Sequence, residues 1–131
     1  MKESLRVLQE CAELQTQKSN DYQNPNSKIS QADYYPNGIT TIHDIMHAKM
    51  LRMASVMEAM QTSNYEPNFE SLEDSAKDLI NYASFFVAYC RHGIPGQDLD
   101  KDAFNSNNNI GLINKQLILN MQYTLPCKYC R

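Results

Sequence analysis

The chain has no tryptophan, only four glycines, and no excess of basic residues. Twelve Lys and Arg stand against fifteen Asp and Glu, for a net charge of −3. That balance argues against a broad nucleic-acid-binding surface, which shows as a basic patch, and leaves room only for a local basic site. No glycine-rich phosphate loop and no internal repeat can be read. No apolar run reaches the roughly 18 residues that a membrane span needs, so no membrane partner is expected. Met1-Lys2-Glu3-Ser4 turns polar at once, unlike a secretory leader, and the chain is read as cytoplasmic. Four cysteines in that compartment are thiols more readily than a disulfide framework. What is present is ordinary apolar content, 42%, over 131 residues, enough for one globular domain with its own core.

Apolar periodicity points to an all-α chain: a helical bundle of three long helices plus a short C-terminal helix. The first helix is expected over 2–18, with Leu5, Leu8, Cys11 and Ala12 inward, Val7 and Leu14 at the flank, and Ser19-Asn20-Asp21 ending it. Residues 20–39 read as a long loop with turn signals at Asn24-Pro25-Asn26 and Tyr35-Pro36-Asn37-Gly38. Its Tyr22, Tyr34 and Tyr35 are candidates for stacking on a flat ligand. The second helix is expected from an N-cap at Thr40 or Thr41 to about Gln61, with Ile42, Met46, Met50, Met53, Met57 and Met60 as its apolar stripe. The third is expected over 70–92, opened by Ser71-x-x-Asp74 and closed by Gly93 at C′ before Pro95. Its core face reads Leu72, Ala76, Leu79, Ala83, Phe86 and Cys90. Residues 96–131 are expected to form a C-terminal extension that packs on the 1–95 domain or at an oligomer interface; Leu112–Met121 reads as a short helix, with a strand over 117–123 as the alternative.

The residue that carries most information is Lys49. At about 100° per residue it falls inside the apolar stripe of helix two, and a core-facing amine needs a partner. Helix three offers Asp74, Asp78 and Asn81 at i, i+4 and i+7. Asp78 lies among Tyr82, Phe85 and Tyr89 on the wheel, where a carboxylate calls for a stabilising partner. An amine facing a carboxylate strip suits a metal–phosphate ligand; a buried ion pair is the competing reading. Oxygen-only ligands suit magnesium or manganese. Arg52, three residues after Lys49, supplies a fork for phosphate or snorkels to the surface. Glu10 and Glu13 form an E-x-x-E step that shares a divalent ion or is a solvated face. His43 and His47 have zinc-helix spacing but lack the glutamate of metalloprotease chemistry. Cys127-x-x-Cys130 reads as two exposed thiols, half a zinc site, a redox pair, or a site shared across a dimer.

Three segments resemble one family. Lys18-Ser19-Asn20-Asp21-Tyr22 resembles the K-x-x-D-Y segment of the phage and bacterial nucleotide-modification-associated domain. Ile42-His43-Asp44-Ile45 with Lys49 and Arg52 resembles its second helix, and Glu73-Asp74 with Asp78-Leu79-Ile80-Asn81-Tyr82-Ala83 its third. That domain is similar to the MazG-like all-α nucleoside triphosphate pyrophosphatases, and the likeness spans about residues 5–95. It implies a bundle, often dimeric, that holds magnesium by carboxylates and cleaves a nucleotide between its α and β phosphates.

On that resemblance, Glu10, Glu13, Asp74 and Asp78 are the expected metal ligands. Lys49, Asp78 and Asn81 are the expected catalytic set, and Lys18, Asp21, Tyr22, Lys49, Arg52 and Asn81 the expected substrate contacts. The pattern departs at Ser75, where the family has a glutamate three residues before the aspartate matched by Asp78. The expected function is a magnesium-dependent (d)NTP pyrophosphohydrolase-like protein of phage nucleotide metabolism, a homo-oligomer in the host cytoplasm. The alternatives are a non-catalytic nucleotide sensor or sponge, and an interaction protein whose methionine-rich helix is an adaptable surface.

Overall fold

The computed structural model describes residues 1–22, 26–62 and 68–98, the side chains of Asp21 and Tyr22 excepted. The expected C-terminal helix or strand and Cys127-x-x-Cys130 lie outside the described residues. Three long helices account for most of the described chain: α1 (Glu3–Tyr22), α2 (Ile39–Met60) and α3 (Phe69–Cys90), with a 3₁₀ turn at Gln31–Tyr34. The fold is all-α, as the periodicity predicts. Ile42 meets Tyr89 while Lys49 meets Asp78, so α2 and α3 run antiparallel. Cys11 meets Lys77 and Gln15 meets Asn81 and Ser84, so α1 runs with α3. The order is up–down–up, with α3 between its two neighbours. Among the described residues, no helix is long and apolar enough to cross a membrane.

The main core sits where α2 begins and α3 ends. Ile42, fully buried, packs with Tyr35, Tyr89 and Ile94, flanked by Ile45, Met46, Phe85 and Phe86. Two of these four come from loops. The 3₁₀ turn is strapped to the segment after α3 by Ala32 N–H donating to the Pro95 carbonyl at 3.1 Å. Gly96, at φ 81°, lies against Ser30: a Cβ there would stand 1.8 Å from the Ser30 Oγ, so only glycine lets the two loops close.

Several expected boundaries shift, each for a local reason. α1 continues through Ser19, Asn20 and Asp21 to Tyr22. Their helix penalty is only about 0.7 kcal/mol each at most, and no Gly or Pro interrupts the chain before Pro25. α2 is capped by Gly38 at φ 62°, not by a threonine; the Thr41 hydroxyl instead accepts from Asn37 N–H at 2.9 Å. α3 is capped by Asn68, whose Oδ1 accepts from Ser71 N–H at 3.1 Å, in place of the Ser71-x-x-Asp74 box. Asn68→Ala removes that acceptor and is expected to lower stability by about 1 kcal/mol in thermal or urea melts. At its other end α3 closes in a Schellman motif one residue earlier than expected. His92 is the left-handed residue (φ 58°), His92 N–H bonds the Tyr89 carbonyl at 3.0 Å, and Gly93 N–H bonds that of Ala88 at 2.8 Å.

The helix faces are also rotated from the simple reading. On α2 the core-facing line is Ile42, Ile45, Met46, Lys49, Met53, Val56 and Met60, while Met50 and Met57 face solvent at more than half exposure. On α1, Leu5 and Leu8 are half exposed, and Val7, Cys11, Leu14 and Gln15 form the line turned inward. Polar ties to α3 set this rotation. On α3 the expected apolar positions are only partly buried, and Ser75, Asn81 and Tyr89 are the most enclosed. A helix covered on two sides buries more than one stripe.

Candidate functional site

The site forms where α1, α2 and α3 approach Asp78. Lys49 sits on the core-facing line of α2, its side chain 24% exposed, and its Nζ lies 3.3 Å from Asp78 Oδ2. Lys18, near the end of α1, places its Nζ 3.5 Å from the other carboxylate oxygen, Oδ1. One carboxylate on the middle helix is therefore held by two amines from the outer helices. One position earlier on α3, Lys77 Nζ lies 3.1 Å from Glu10 Oε2 of α1. Leu14, Lys18, Asp74, Lys77 and Asp78 line an open cleft of about 290 Å³ between α1 and α3.

Beside the ion pairs lies a neutral network. Asn81, buried, accepts through Oδ1 from Gln15 Nε2 at 2.9 Å, and the same Nε2 reaches Ser84 Oγ at 2.7 Å. Ser84 in turn donates to the Asn81 carbonyl at 2.6 Å. Cys11, buried against the Lys77 carbonyl, is the apolar pin of the α1–α3 contact. Burial pushes its thiol pKa up, so it is a packing residue and a poor nucleophile. The hydrogen bond and charge of Glu10 hold the Lys77 ammonium above its ordinary pKa.

The residues expected from the sequence divide into those brought together and those not. Lys18, Lys49 and Asp78 meet directly; Asp74 shares the cleft wall with Asp78, and Asn81 stands one helical turn beyond it on α3. Arg52 is exposed on α2 and, among the described residues, forms no ion pair. Asp21 and Tyr22 lie in the last turn of α1, not in a loop. Tyr34 is 65% exposed, whereas Tyr35 is a core residue whose hydroxyl accepts from Gln31 Nε2 at 3.1 Å; it is not available for stacking. His43 and His47 are exposed on α2.

The carboxylates do not gather into a cage. Glu10 is engaged by Lys77, Glu13 is exposed on α1, and among the described residues no group of three or more His, Cys, Asp or Glu stands ready to hold a metal. Asp74 and Asp78, four apart on the cleft wall, are what remains. Magnesium often takes one or two protein carboxylates and completes its octahedron with waters and substrate phosphates. Two carboxylates, one of them held by Lys18 and Lys49, do not make a dedicated protein-only site.

Sequence reasoning missed Gln15, Ser84 and Lys77. Gln15 follows Cys11 by one turn, so placing α1 by its cysteine instead of its leucines would have brought Gln15 onto the α3-facing line. No protein-family model, curated protein or solved structure matches the chain. The likeness to the nucleotide-modification-associated domain therefore stands on the short motifs at 18–22, 42–52 and 73–83.

Proposed function

We propose that the chain binds a nucleoside triphosphate by its phosphates at the Asp78 cleft, as a magnesium-dependent (d)NTP pyrophosphohydrolase-like protein of phage nucleotide metabolism. The observation that carries this reading is the convergence of Lys18 and Lys49 on Asp78 from opposite sides. Partly exposed lysine–carboxylate pairs are individually weak, about 0–1 kcal/mol. A polyphosphate with several charged oxygens competes well for both amines, and the freed Asp78 joins Asp74 as a carboxylate pair.

In this reading Lys49 and Lys18 hold phosphate oxygens as charge builds on them. Asp74 and Asp78 would hold magnesium, which when bound would polarise the phosphates and lower the pKa of water. Asn81 orients the ligand. Arg52 and Tyr34, both exposed, are the remaining sequence candidates for phosphate and base. The protein acts in the cytoplasm as a homo-oligomer, with no broad affinity for nucleic acid.

The test is incubation with each dNTP and magnesium, following pyrophosphate and nucleoside monophosphate. Release from at least one nucleotide, abolished by EDTA, is the expected result. A second reading, a nucleotide sensor or sponge, is favoured by Ser75. That residue is only 3% exposed, so the position where the family carries a further carboxylate faces the interior. Binding that survives EDTA without pyrophosphate release would select the sensor. A folded protein that neither binds nor cleaves any dNTP would refute both readings.

A further inference from the structure

The Gln15–Asn81–Ser84 network determines its own proton assignment. The Ser84 hydroxyl has one proton, and at 2.6 Å it is donated to the Asn81 carbonyl. Towards Gln15, 2.7 Å away, the Ser84 oxygen must then act as acceptor. That fixes Gln15 as the donor, through Nε2. The same Nε2 faces the Asn81 amide at 2.9 Å, which must therefore present its oxygen, not its nitrogen. The outcome is an Asn81 side chain whose Oδ1 is spent on Gln15 and whose Nδ2 is not.

Asn81 is only 6% exposed, and among the described residues its Nδ2 makes no hydrogen bond, while its Oδ1 is engaged by Gln15. No fully buried side-chain nitrogen or oxygen among the described residues lacks a partner. The Nδ2 therefore touches solvent, although the residue as a whole is enclosed. An enclosed amide with uncommitted N–H donors that reach solvent is poised for an external acceptor. It stands three residues from Asp78 on α3, which places the two within about one helical turn, 5–6 Å, of each other.

We infer that Gln15 is a positioning residue: it holds the Asn81 amide in the orientation that offers N–H donors to an oxygen of the ligand, next to the Asp78 cleft. The inference rests on the reading of that cleft as a nucleotide-phosphate site and extends it to a residue with no charge and no direct ligand contact. Gln15 chooses the polarity of the Asn81 contact, so the site selects an acceptor oxygen there, whether a phosphate oxygen or a carbonyl or hydroxyl of the nucleoside.

Three variants of the full chain separate orientation from structure. Gln15→Glu reverses the polarity, because a carboxylate accepts from Asn81 Nδ2 and turns Oδ1 outward. Gln15→Leu removes the lock without adding charge. Thr16→Glu, on the exposed side of α1, carries the same added charge without touching Asn81. Titration calorimetry with each magnesium–dNTP and with magnesium–tripolyphosphate gives affinities. The ¹H–¹⁵N signals of the Asn81 side-chain amide report its state, and thermal melts check the fold.

The expected result is a loss of roughly tenfold or more in affinity for Gln15→Glu, from one hydrogen bond lost and an oxygen turned against the ligand. Gln15→Leu should lose less, and Thr16→Glu should stay within about twofold of the parent, an exposed charge being largely screened. In the parent, ligand should move the Asn81 Nδ2 proton signals; in Gln15→Glu those signals should already be shifted without ligand. A loss shared by tripolyphosphate assigns the acceptor to a phosphate oxygen, and a loss confined to dNTP assigns it to sugar or base. Equal affinities for Gln15→Glu and Thr16→Glu, or Asn81 signals blind to both ligand and Gln15, would overturn the inference. If the parent binds none of these ligands, it is the nucleotide reading itself that fails.

Discussion

Lys49→Met is expected to weaken nucleotide binding by 10- to 100-fold and to leave the protein folded. The affinity estimate follows from one charge-assisted contact to phosphate, about 1.5–3 kcal/mol, at about 1.4 kcal/mol per tenfold. The stability estimate follows from the surroundings. Lys49 lies on the core-facing line of α2 with Ile45 and Met46 before it and Met53 and Val56 after it. Methionine keeps the unbranched stem and suits that company, and the partly exposed lysine–carboxylate pair that it removes contributes only about 0–1 kcal/mol. Asp78 keeps Lys18. The net change should stay within about 1 kcal/mol. Titration calorimetry and a urea melt on the same preparation separate the two effects. An unchanged dissociation constant would make Lys49 a structural tie between α2 and α3 and nothing more.

The largest stability effect is expected at Ile42. It is the most enclosed side chain in the molecule as described, at 0% exposure, and it joins the start of α2 to Tyr89 of α3 and to Tyr35 and Ile94 from the loops. Ile42→Ala removes three carbons from the point where all four segments meet. The cost is about 3 kcal/mol, the middle of the range for buried Ile to Ala, and a drop in melting temperature of roughly 10–20 °C. Because two of the partners are on loops, part of the cavity closes by loop adjustment, which sets the lower end. A fall of less than about 1 kcal/mol in urea denaturation would mean that the core does not converge on Ile42.

The parts of this molecule that the sequence discloses are those governed by helical period. Lys49 is legible because a charge inside an apolar stripe is a local contradiction, and Asp78 because its face of helix three continues with Tyr82, Phe85 and Tyr89. Their meeting follows once α2 and α3 are antiparallel neighbours. What the period does not disclose is rotation. Leu5 and Leu8 look like the inward face of α1, but Glu10–Lys77, Lys18–Asp78 and Gln15–Asn81 set the face, and both leucines turn to water. For the same reason Gln15 carries no signal in the sequence. Loop contributions are equally hidden: Tyr35 reads as a ligand-stacking ring and is instead a core side chain, because the strap between Ala32 and Pro95 is invisible until the chain is folded. His92 takes the left-handed position that a glycine one residue later advertises.

The most direct test of the account is an NMR titration of the parent protein with magnesium–dNTP, reading the Lys side-chain ammonium signals together with the backbone amides. Lys18 and Lys49 are expected to move together, as phosphate oxygens replace Asp78 as their partner, with amide shifts centred on residues 14–18, 49 and 74–81. Saturating nucleotide that leaves both ammonium groups unmoved, or that shifts only residues far from Asp78, would contradict it.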